Sequence, residues 1–337
     1  MCRFIDDMTE RAGKNPKRVA FPEAANADIL KTASEVAKRK IGFPVLLGKK
    51  ENIEILSEQF KIPTEQFEYF DYTSEQNRKS IANQYCKKFD DFSEKAVIRK
   101  CKDPVRCAMF LLKLGYVDGV AAGKEYSTGN VIFEAMSIVG MQEGVENVSS
   151  IGIAEIPGFH GPQGEMLGLA DCAITVQPDV EDLAGIAIAS ADTVRTLLNW
   201  EPRIAILSFS TCGSAEHESI EVIKEAVQLV RERRPELKID GEFQLDSAII
   251  PEVASRKVKR KSEVAGRANV LIFPNLHAGN IGVKLIQIFG HANAYGPVLQ
   301  GFSLPVCDFS RSAPVDEMVG NVAMLVVRAG EVDHAGL

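Results

Sequence analysis

The stretch Ile204-Ala-Ile-Leu-Ser-Phe-Ser-Thr-Cys-Gly213 decides the fold class of this chain. Its first four residues form a short continuous apolar run, which is typical of a strand that is buried on both faces. A polar segment continues to His217, and the apolar residues beyond it recur at the spacing of one helix face, at Ile220, Ile223, Val227 and Val230. A strand, a polar loop and a helix in this order are the repeating unit of a parallel sheet covered by helices.

The same unit recurs through the chain. Short apolar runs predict further strands at residues 18–21, 119–122, 172–176 and 269–273. Helical periodicity predicts helices at 28–40 and 105–114, and a longer helix that opens at Pro178 and Asp179, with Asp179 as its N-cap. Residues 151–168 are rich in Gly and Pro and are expected to form a loop. The fold class predicted from this alternation is α/β with mainly parallel sheets.

The length and composition of the chain limit the classes of function that it can have. At 337 residues the chain exceeds the size at which one core stops growing, so two domains are expected. A net charge of −7 argues against nucleic acid as a partner, and the basic run at 256–261 is interpreted as a solvated face or an attraction for an anionic ligand. The seven cysteines include no CxxC pair, which is typical of a reducing compartment. The sequence has no apolar leader and no run of about 18 apolar residues. These features predict a cytoplasmic protein without membrane contact.

Most familiar catalytic motifs are missing. The sequence has no GxGxxG after a strand, no HExxH and no GxSxG, and its five histidines show no ligand spacing, so no metal site is predicted. Gly119 and the Gly123-Lys124 pair faintly resemble a P-loop, but the spacing is one residue short and Glu125 stands where Ser or Thr belongs.

Three segments, at residues 208–217, 275–282 and 123–129, are predicted to be polar loops rich in small residues beside a strand or helix end. Hydroxyl groups, close backbone approach at glycine and free N–H groups at a helix start all favour a bound phosphate. The candidate phosphate-binding residues are Ser127, Thr128, Ser210, Thr211, Gly279 and Asn280. The alternative is helix capping, in which the same side chains satisfy only backbone N–H groups.

The segment Cys307–Glu317 brings four chemically useful groups together in the sequence, namely Ser310, Arg311, Asp316 and Glu317. A guanidinium suits bidentate phosphate binding, and a carboxylate can act as a general base. The alternative is a surface ion pair in which Ser310 or Ser312 caps a helix.

These segments resemble the phosphate acetyltransferase family over nearly the whole chain, from about Arg18 to Met324. The stretches that carry the likeness include ADCAITVQPDVEDLAGIAIASADT, EPRIAILSFSTCGSAEH, ANVLIFPNLHAGNIGVKLIQ and GPVLQGFSLPVCDFSR, together with FPEAANADIL near the start. The compact length is similar to the ethanolamine-utilisation type. The resemblance implies two three-layer α/β domains facing a cleft, at 1–145 plus 300–337 and at 146–299, in a fold related to the isocitrate and isopropylmalate dehydrogenases.

The resemblance also implies a reaction. A short acyl group, acetyl or propionyl, passes between phosphate and coenzyme A by direct thiolate attack in a ternary complex, without a tightly bound cofactor. The family's serine–arginine pair matches Ser310 and Arg311, and its base falls on Asp316 or Glu317. Cys172 matches a family cysteine that is not the nucleophile. The implied partners are coenzyme A, acyl phosphate, inorganic phosphate and a second copy of the chain, in the cytoplasm or a bacterial microcompartment.

The chain departs from the family pattern at several positions. Phe133 stands where the family has an arginine, Tyr126 replaces a polar residue before Ser127, and Ser312 replaces a glycine. A second family arginine has no clear counterpart around 85–93. These departures leave an alternative hypothesis, an impaired relative that binds coenzyme A or acyl phosphate without efficient turnover. A dehydrogenase is a third, weaker hypothesis, because neither a nicotinamide site nor a metal site is visible.

Overall fold

The computed structural model describes residues 3–330 and divides into two compact units. The first unit contains the residues up to Gly140 and those from Phe302 onward, and the second contains Met141–Gly301. No helix in the described range is long and apolar enough to cross a membrane.

The first part of the first unit alternates helices with short strands. Its helices are α1 (Arg3–Lys14), α2 (Ala27–Lys38), α3 (Lys50–Gln59), α4 (Glu75–Lys88), α5 (Glu94–Lys100), α6 (Pro104–Lys113) and α7 (Thr128–Ile138). Its strands are β1 (Lys17–Phe21), β2 (Gly42–Leu47), β3 (Glu68–Phe70) and β4 (Gly119–Ala122). Every residue of β4 is buried, as expected of a strand covered on both faces.

The second unit begins with two strands and then repeats the strand–helix pattern. Its strands are β5 (Ser149–Glu155), β6 (Met166–Ala170), β7 (Arg203–Leu207), β8 (Lys238–Phe243), β9 (Val270–Ile272) and β10 (Asn293–Gln300). Its helices are α8 (Val180–Leu198), α9 (Glu218–Arg233), α10 (Leu245–Ile249), α11 (Pro251–Lys257) and α12 (Leu276–Phe289). The chain then returns to the first unit with β11 (Val306–Asp308) and α13 (Val315–Ala329).

Each unit is built on one sheet. The first sheet has the order β11-β4-β1-β2-β3, and all its strands are parallel. The second has the order β10-β5-β6-β9-β7-β8, in which β5 pairs antiparallel with both β10 and β6 and the other neighbours are parallel. These sheets confirm the predicted α/β fold with mainly parallel strands.

Two predictions for the stretch 151–176 are wrong. Residues 172–176 do not form a strand, because β6 ends at Ala170 and the Asp171 carboxylate accepts hydrogen bonds from the N–H groups of Ala173, Ile174 and Thr175, which curls the chain. Residues 151–168 are not one loop, because β5 and β6 pair within them. β5 lies inside the sheet and is mostly buried, so its sequence lacks the alternation by which a strand is recognised.

The order of the first sheet fixes where a ligand is best placed. From β1 the chain builds toward β2 and β3 on one side, whereas β4 and β11 lie on the other side. The crevice at the carboxyl ends of β1 and β4 is therefore the switch point at which open α/β sheets bind ligands. The loops that follow β1, β4 and β11 all begin at this edge.

Candidate functional site

The loop after β4 is built around the carboxylate of Glu23, which directly follows β1. Glu23 is buried, and its Oε2 accepts the N–H groups of Gly123 (2.9 Å) and Lys124 (3.1 Å). Its Oε1 accepts those of Glu125 (2.6 Å) and Tyr126 (2.9 Å). The four successive N–H groups of residues 123–126 are thus occupied by a side chain of the same unit.

Asp308, the last residue of β11, lies beside this loop. Its Oδ2 accepts a 2.6 Å hydrogen bond from the Thr128 hydroxyl, whereas its buried Oδ1 has no hydrogen-bond partner in the described part of the chain. A Cβ on Gly123, whose φ is +107°, would collide with that Oδ1 and with the backbone of Phe309. Only glycine therefore fits at position 123.

Burial raises the pKa of Asp308 to about 6, and the nearby Glu23 carboxylate adds to the rise, while the Thr128 hydroxyl and Arg311 oppose it. Between about pH 4 and pH 6 the unfolded chain loses this proton while the folded chain keeps it. The folded state then binds more protons, so this group's contribution to stability falls as the pH rises through that window.

Replacing Asp308 with asparagine should therefore raise the melting temperature at pH 7.5, because the amide oxygen still accepts from Thr128 and no charge is buried. The gain should be roughly 1–2 kcal/mol, less than two pKa units alone would give because the carboxyl is partly solvated. It should shrink toward zero at pH 4.5. Thermal melts at both values test this, with exposed Asp90→Asn as the matched control. A gain independent of pH would contradict the assignment.

Ser310 and Arg311 lie in the turn after β11, and both are exposed. The Ser310 Oγ lies 3.1 Å from the Ser312 Oγ, and the Ala313 N–H donates to the Ser310 carbonyl. The Lys124 Nζ donates to the Ala313 carbonyl at 2.9 Å, which ties this turn to the loop after β4. Within residues 3–330 the Arg311 guanidinium makes no hydrogen bond or ion pair, so it is free to meet an anion.

Asp316 and Glu317 occupy the first turn of α13, where a carboxylate also complements the helix dipole. The Asp316 side chain is 88% exposed and lies 3.3 Å from Nη2 of Arg39. Glu317 is exposed and has no ion-pair partner among the residues that the structure covers. Both acids follow Arg311 closely in the sequence, but only Glu317 has an unengaged carboxylate.

Ser127 is the N-cap of α7, and its Oγ accepts the Asn130 N–H at 3.3 Å. The helix thus begins at Thr128, whose hydroxyl points to Asp308. Ser127 therefore does what the capping alternative describes, and Thr128 is joined to the Arg311 segment. A phosphate-binding role for either residue stays a prediction.

Ser210 and Thr211 are buried in the loop after β7, in the second unit. The Ser210 hydroxyl donates to Oε1 of buried Glu242 at 3.0 Å, and Gly213 N–H donates to the same atom at 2.7 Å. The Thr211 hydroxyl accepts the Gln244 N–H at 2.9 Å. These contacts order the loop from within, and phosphate binding by the two hydroxyls stays a prediction.

The predicted loop at 275–282 is mostly helix, because the Asn275 side chain caps α12 and the helix begins at Leu276. Gly279 lets this helix approach the backbone of Asp171 and Cys172, where a Cβ would collide with the Asp171 carbonyl. The Nδ2 of exposed Asn280 donates to the Cys172 carbonyl at 3.4 Å. Gly279 therefore has a packing role, and an anion-binding role for Gly279 and Asn280 stays a prediction.

Burial, with the Asp171 charge beside it, raises the pKa of Cys172 to about 11. The thiol is therefore protonated near neutral pH and is a poor nucleophile. Within the described residues no three His, Cys, Asp or Glu side chains come together as a metal site.

The basic run at 256–261 is partly engaged. Arg260 makes a bidentate pair with buried Asp240 at 2.6 and 2.7 Å, and Lys257 lies 2.8 Å from Asp246. Two of its charged side chains thus form ion pairs within the second unit.

Sequence reasoning missed Glu23 and Asp308. Glu23 lies 100 residues from Gly123, so no local pattern links the two. Asp308 lies two residues before Ser310, and only the burial that folding imposes distinguishes it from an ordinary loop acid.

The two sheets define an α/β protein, and guanidinium, hydroxyl and carboxylate groups follow the carboxyl edge of the first sheet. The sequence model described as phosphate acetyl/butaryl transferase matches residues 3–326. The chain therefore belongs to the phosphate acetyl/butaryl transferase family, a family of transferases, and the resemblance seen in the sequence is confirmed.

Individual relatives agree with this assignment. A phosphate acetyltransferase of Thermoanaerobacterium thermosaccharolyticum is 38% identical, over 97% of this chain and 99% of the relative. The EutD phosphotransacetylase of Staphylococcus aureus superimposes with a TM-score of 0.84 at 30% identity, over 96% of this chain and 99% of that one. A 4-hydroxythreonine-4-phosphate dehydrogenase of Klebsiella pneumoniae, with a TM-score of 0.51 at 12% identity over 94% of this chain and 99% of that one, shares the fold alone.

Proposed function

We propose that this protein catalyses the reversible transfer of a short acyl group, acetyl and also propionyl, between phosphate and coenzyme A. The observation that carries the proposal is the exposed Arg311 guanidinium, without a partner in the described chain, beside the Ser310 hydroxyl at the carboxyl edge of the first sheet. Family membership supplies the reaction class.

The chemistry follows from these groups. In a ternary complex a carboxylate takes the proton of the coenzyme A thiol, and the thiolate sulfur attacks the carbonyl carbon of the acyl phosphate. Ser310 donates a hydrogen bond to the developing oxyanion, and Arg311 holds the phosphate as the carbon–oxygen bond breaks. Glu317 is favoured as the base over Asp316, because Asp316 is paired with Arg39. The raised pKa of Cys172 supports direct transfer without an acylated cysteine.

Purified protein should form the thioester from coenzyme A and acetyl, propionyl or butyryl phosphate. The Phe133 ring, 64% exposed on α7, puts an apolar surface where the family resemblance implies a charge, so propionyl phosphate should be accepted as well as acetyl phosphate. Coenzyme A binding without turnover of any of these acyl phosphates would instead support the impaired relative.

The proposed assembly is a homodimer that uses α12. Ile281, Leu285, Ile288 and Phe289 recur at helical spacing and are 49–77% exposed, which leaves an apolar stripe on this helix. Light scattering should give twice the chain mass of 36.9 kDa, and Ile288→Glu should shift the measured mass toward that of the monomer. Ile55→Glu, at a similarly exposed position on α3, is the matched control. A monomeric wild type would contradict the proposed dimer.

The proposed location is the cytoplasm, free or within a bacterial microcompartment. The six cysteines that the structure describes are free thiols, the usual state in a reducing compartment. Cell fractionation that recovered the protein outside the cytoplasmic fraction would contradict this location.

A further inference from the structure

The Gly123-Lys124 pair, which faintly resembles a P-loop in the sequence, has a different role in the fold. Lys124 lies in the loop after β4, and Ser310 lies in the turn after β11, the neighbouring strand. Neighbouring parallel strands are about 4.8 Å apart, so the two loops start side by side at the carboxyl edge of the first sheet. A long side chain from one loop can therefore reach the backbone of the other.

The segment between β11 and α13 is a short turn that is held at both ends. At its start the Phe309 N–H donates to the Ala122 carbonyl at 2.7 Å, and at its end the Ala313 N–H donates to the Ser310 carbonyl at 2.9 Å. Phe309 and Ala313 are buried, whereas the residues between them, 310–312, are exposed. The orientation of these exposed residues therefore depends on the two ends of the turn.

The Lys124 ammonium holds the second end. Its Nζ donates to the Ala313 carbonyl at 2.9 Å and lies 3.4 Å from Oδ2 of Asp28, in α2. The side chain is 10% exposed, so these partners take the place of water around the charge. The next residue, Pro314, is the N-cap of α13 and makes no side-chain cap bond. The Lys124 contact thus joins this end of the turn to the loop after β4.

Lys124 is also fixed at its own backbone. Its N–H donates to the buried Glu23 carboxylate at 3.1 Å, and the Gly123 N–H donates to the same oxygen at 2.9 Å. The side chain therefore starts from an ordered loop and ends between two partners. A lysine held in this way can stabilise the unit alone, or it can orient the turn for the reaction, and these two roles have different kinetic consequences.

We propose that Lys124 is a positioning residue for the acyl transfer. Through the Ala313 carbonyl it fixes the turn from which Ser310 and Arg311 contact the acyl phosphate, and it does not itself touch the substrate. A displacement of about 1 Å at a reacting centre can cost about a hundredfold in rate, so the anchor of this turn bears directly on the chemistry. This assignment rests on the proposed function.

Lys124→Met tests the assignment, because it keeps the side chain as far as Cε and removes the ammonium. The kcat/KM for acetyl phosphate should fall about tenfold, while the KM for coenzyme A should change by less than about twofold. Lys124→Arg, which still donates to the carbonyl, should recover most of the rate. Lys31→Met is the matched control and should equal the wild type, since Lys31 lies 3.3 Å from the other oxygen of Asp28 and is 45% exposed.

A double variant separates positioning from stability alone. In an Arg311→Ala background, Lys124→Met should cost less than about threefold, because the main group that it orients is gone. An equal tenfold loss in both backgrounds, or full activity of the single Lys124→Met variant, would overturn the assignment.

Hydrogen–deuterium exchange makes the test independent of turnover. In Lys124→Met the amides of residues 310–313 should exchange faster than in the wild type, whereas those of β4 and β11 should not change. Faster exchange throughout the first unit would mean that Lys124 only stabilises the fold, and unchanged exchange at 310–313 would also overturn the assignment. If the wild type turned over no acyl phosphate, the proposed function would fail, and the exchange result would still decide whether Lys124 holds the turn.

Discussion

Replacing Arg311 with alanine is expected to lower kcat/KM for coenzyme A-dependent turnover of acetyl phosphate by at least about a hundredfold. The guanidinium has no partner in residues 3–330, so its whole hydrogen-bonding capacity is available to the phosphate. A hydrogen bond to a charged group contributes about 1.5–3 kcal/mol, and a bidentate pair that strengthens as the leaving phosphate gains charge contributes more. Each 1.4 kcal/mol is tenfold in rate.

Thioester formation followed continuously for the wild type and Arg311→Ala measures this effect. The melting temperature should not change, because the side chain is exposed and holds nothing in place. Arg311→Lys should recover part of the rate, since it restores the charge but not the planar fork. Arg99→Ala, at another exposed arginine of the first unit, is the control for loss of charge. Turnover within threefold of wild type in Arg311→Ala would exclude this arginine from the reaction.

Replacing Glu23 with alanine is expected to be among the most destabilising single changes in the first unit. Four backbone N–H groups lose their acceptor at once, and those of Gly123 and Lys124 lie in a protected part of the loop. A buried donor left without a partner costs about 1–3 kcal/mol, and partial relaxation of the loop reduces the sum to about 4 kcal/mol. Activity should fall as well, since this loop carries Thr128 toward Asp308.

Thermal unfolding is the suitable measurement, compared as melting temperatures because a chain of two units need not unfold in one step. Glu23→Gln should give an intermediate loss, because its amide oxygen still accepts while its NH2 group faces donors. Glu125→Ala serves as the control, because it removes a neighbouring, exposed carboxylate that accepts a hydrogen bond from the Asn26 side chain. Equal melting temperatures for Glu23→Ala and Glu125→Ala would show that the four bonds are not needed.

The local pattern of apolar residues predicted correctly those strands and helices that depend on neighbouring residues alone. The apolar runs at 204–207 and 119–122 form β7 and β4, and Asp179 caps α8 in a reciprocal pair with Asp182. It failed at 172–176, because a single carboxylate at Asp171 turns an apolar run away from the sheet. It failed again at 275–282, because small residues that suggest a loop serve a close approach between a helix and a neighbouring backbone.

The candidate site likewise contains residues that the sequence predicted and residues that only the fold brings in. Ser310, Arg311 and Glu317 are close in the sequence, and they occupy the turn after β11 and the first turn of the next helix, α13. The groups that shape their surroundings come from distant segments: Glu23 from the loop after β1, and Lys124 from the loop after β4. Sequence spacing carries no information about such pairs, which arise from the order of strands in the sheet.

The buried carboxylates of Glu23 and Asp171 each accept several backbone N–H groups of a loop just after a strand. Buried Glu242 accepts the Gly213 N–H and the Ser210 hydroxyl in the same manner. Such a loop is already ordered before any substrate arrives, and binding then costs little conformational entropy. The N–H groups of such a loop already donate to a carboxylate of the protein, so they are not available to hold an incoming phosphate. In the proposed reaction, the contact left for the phosphate is the exposed Arg311 guanidinium.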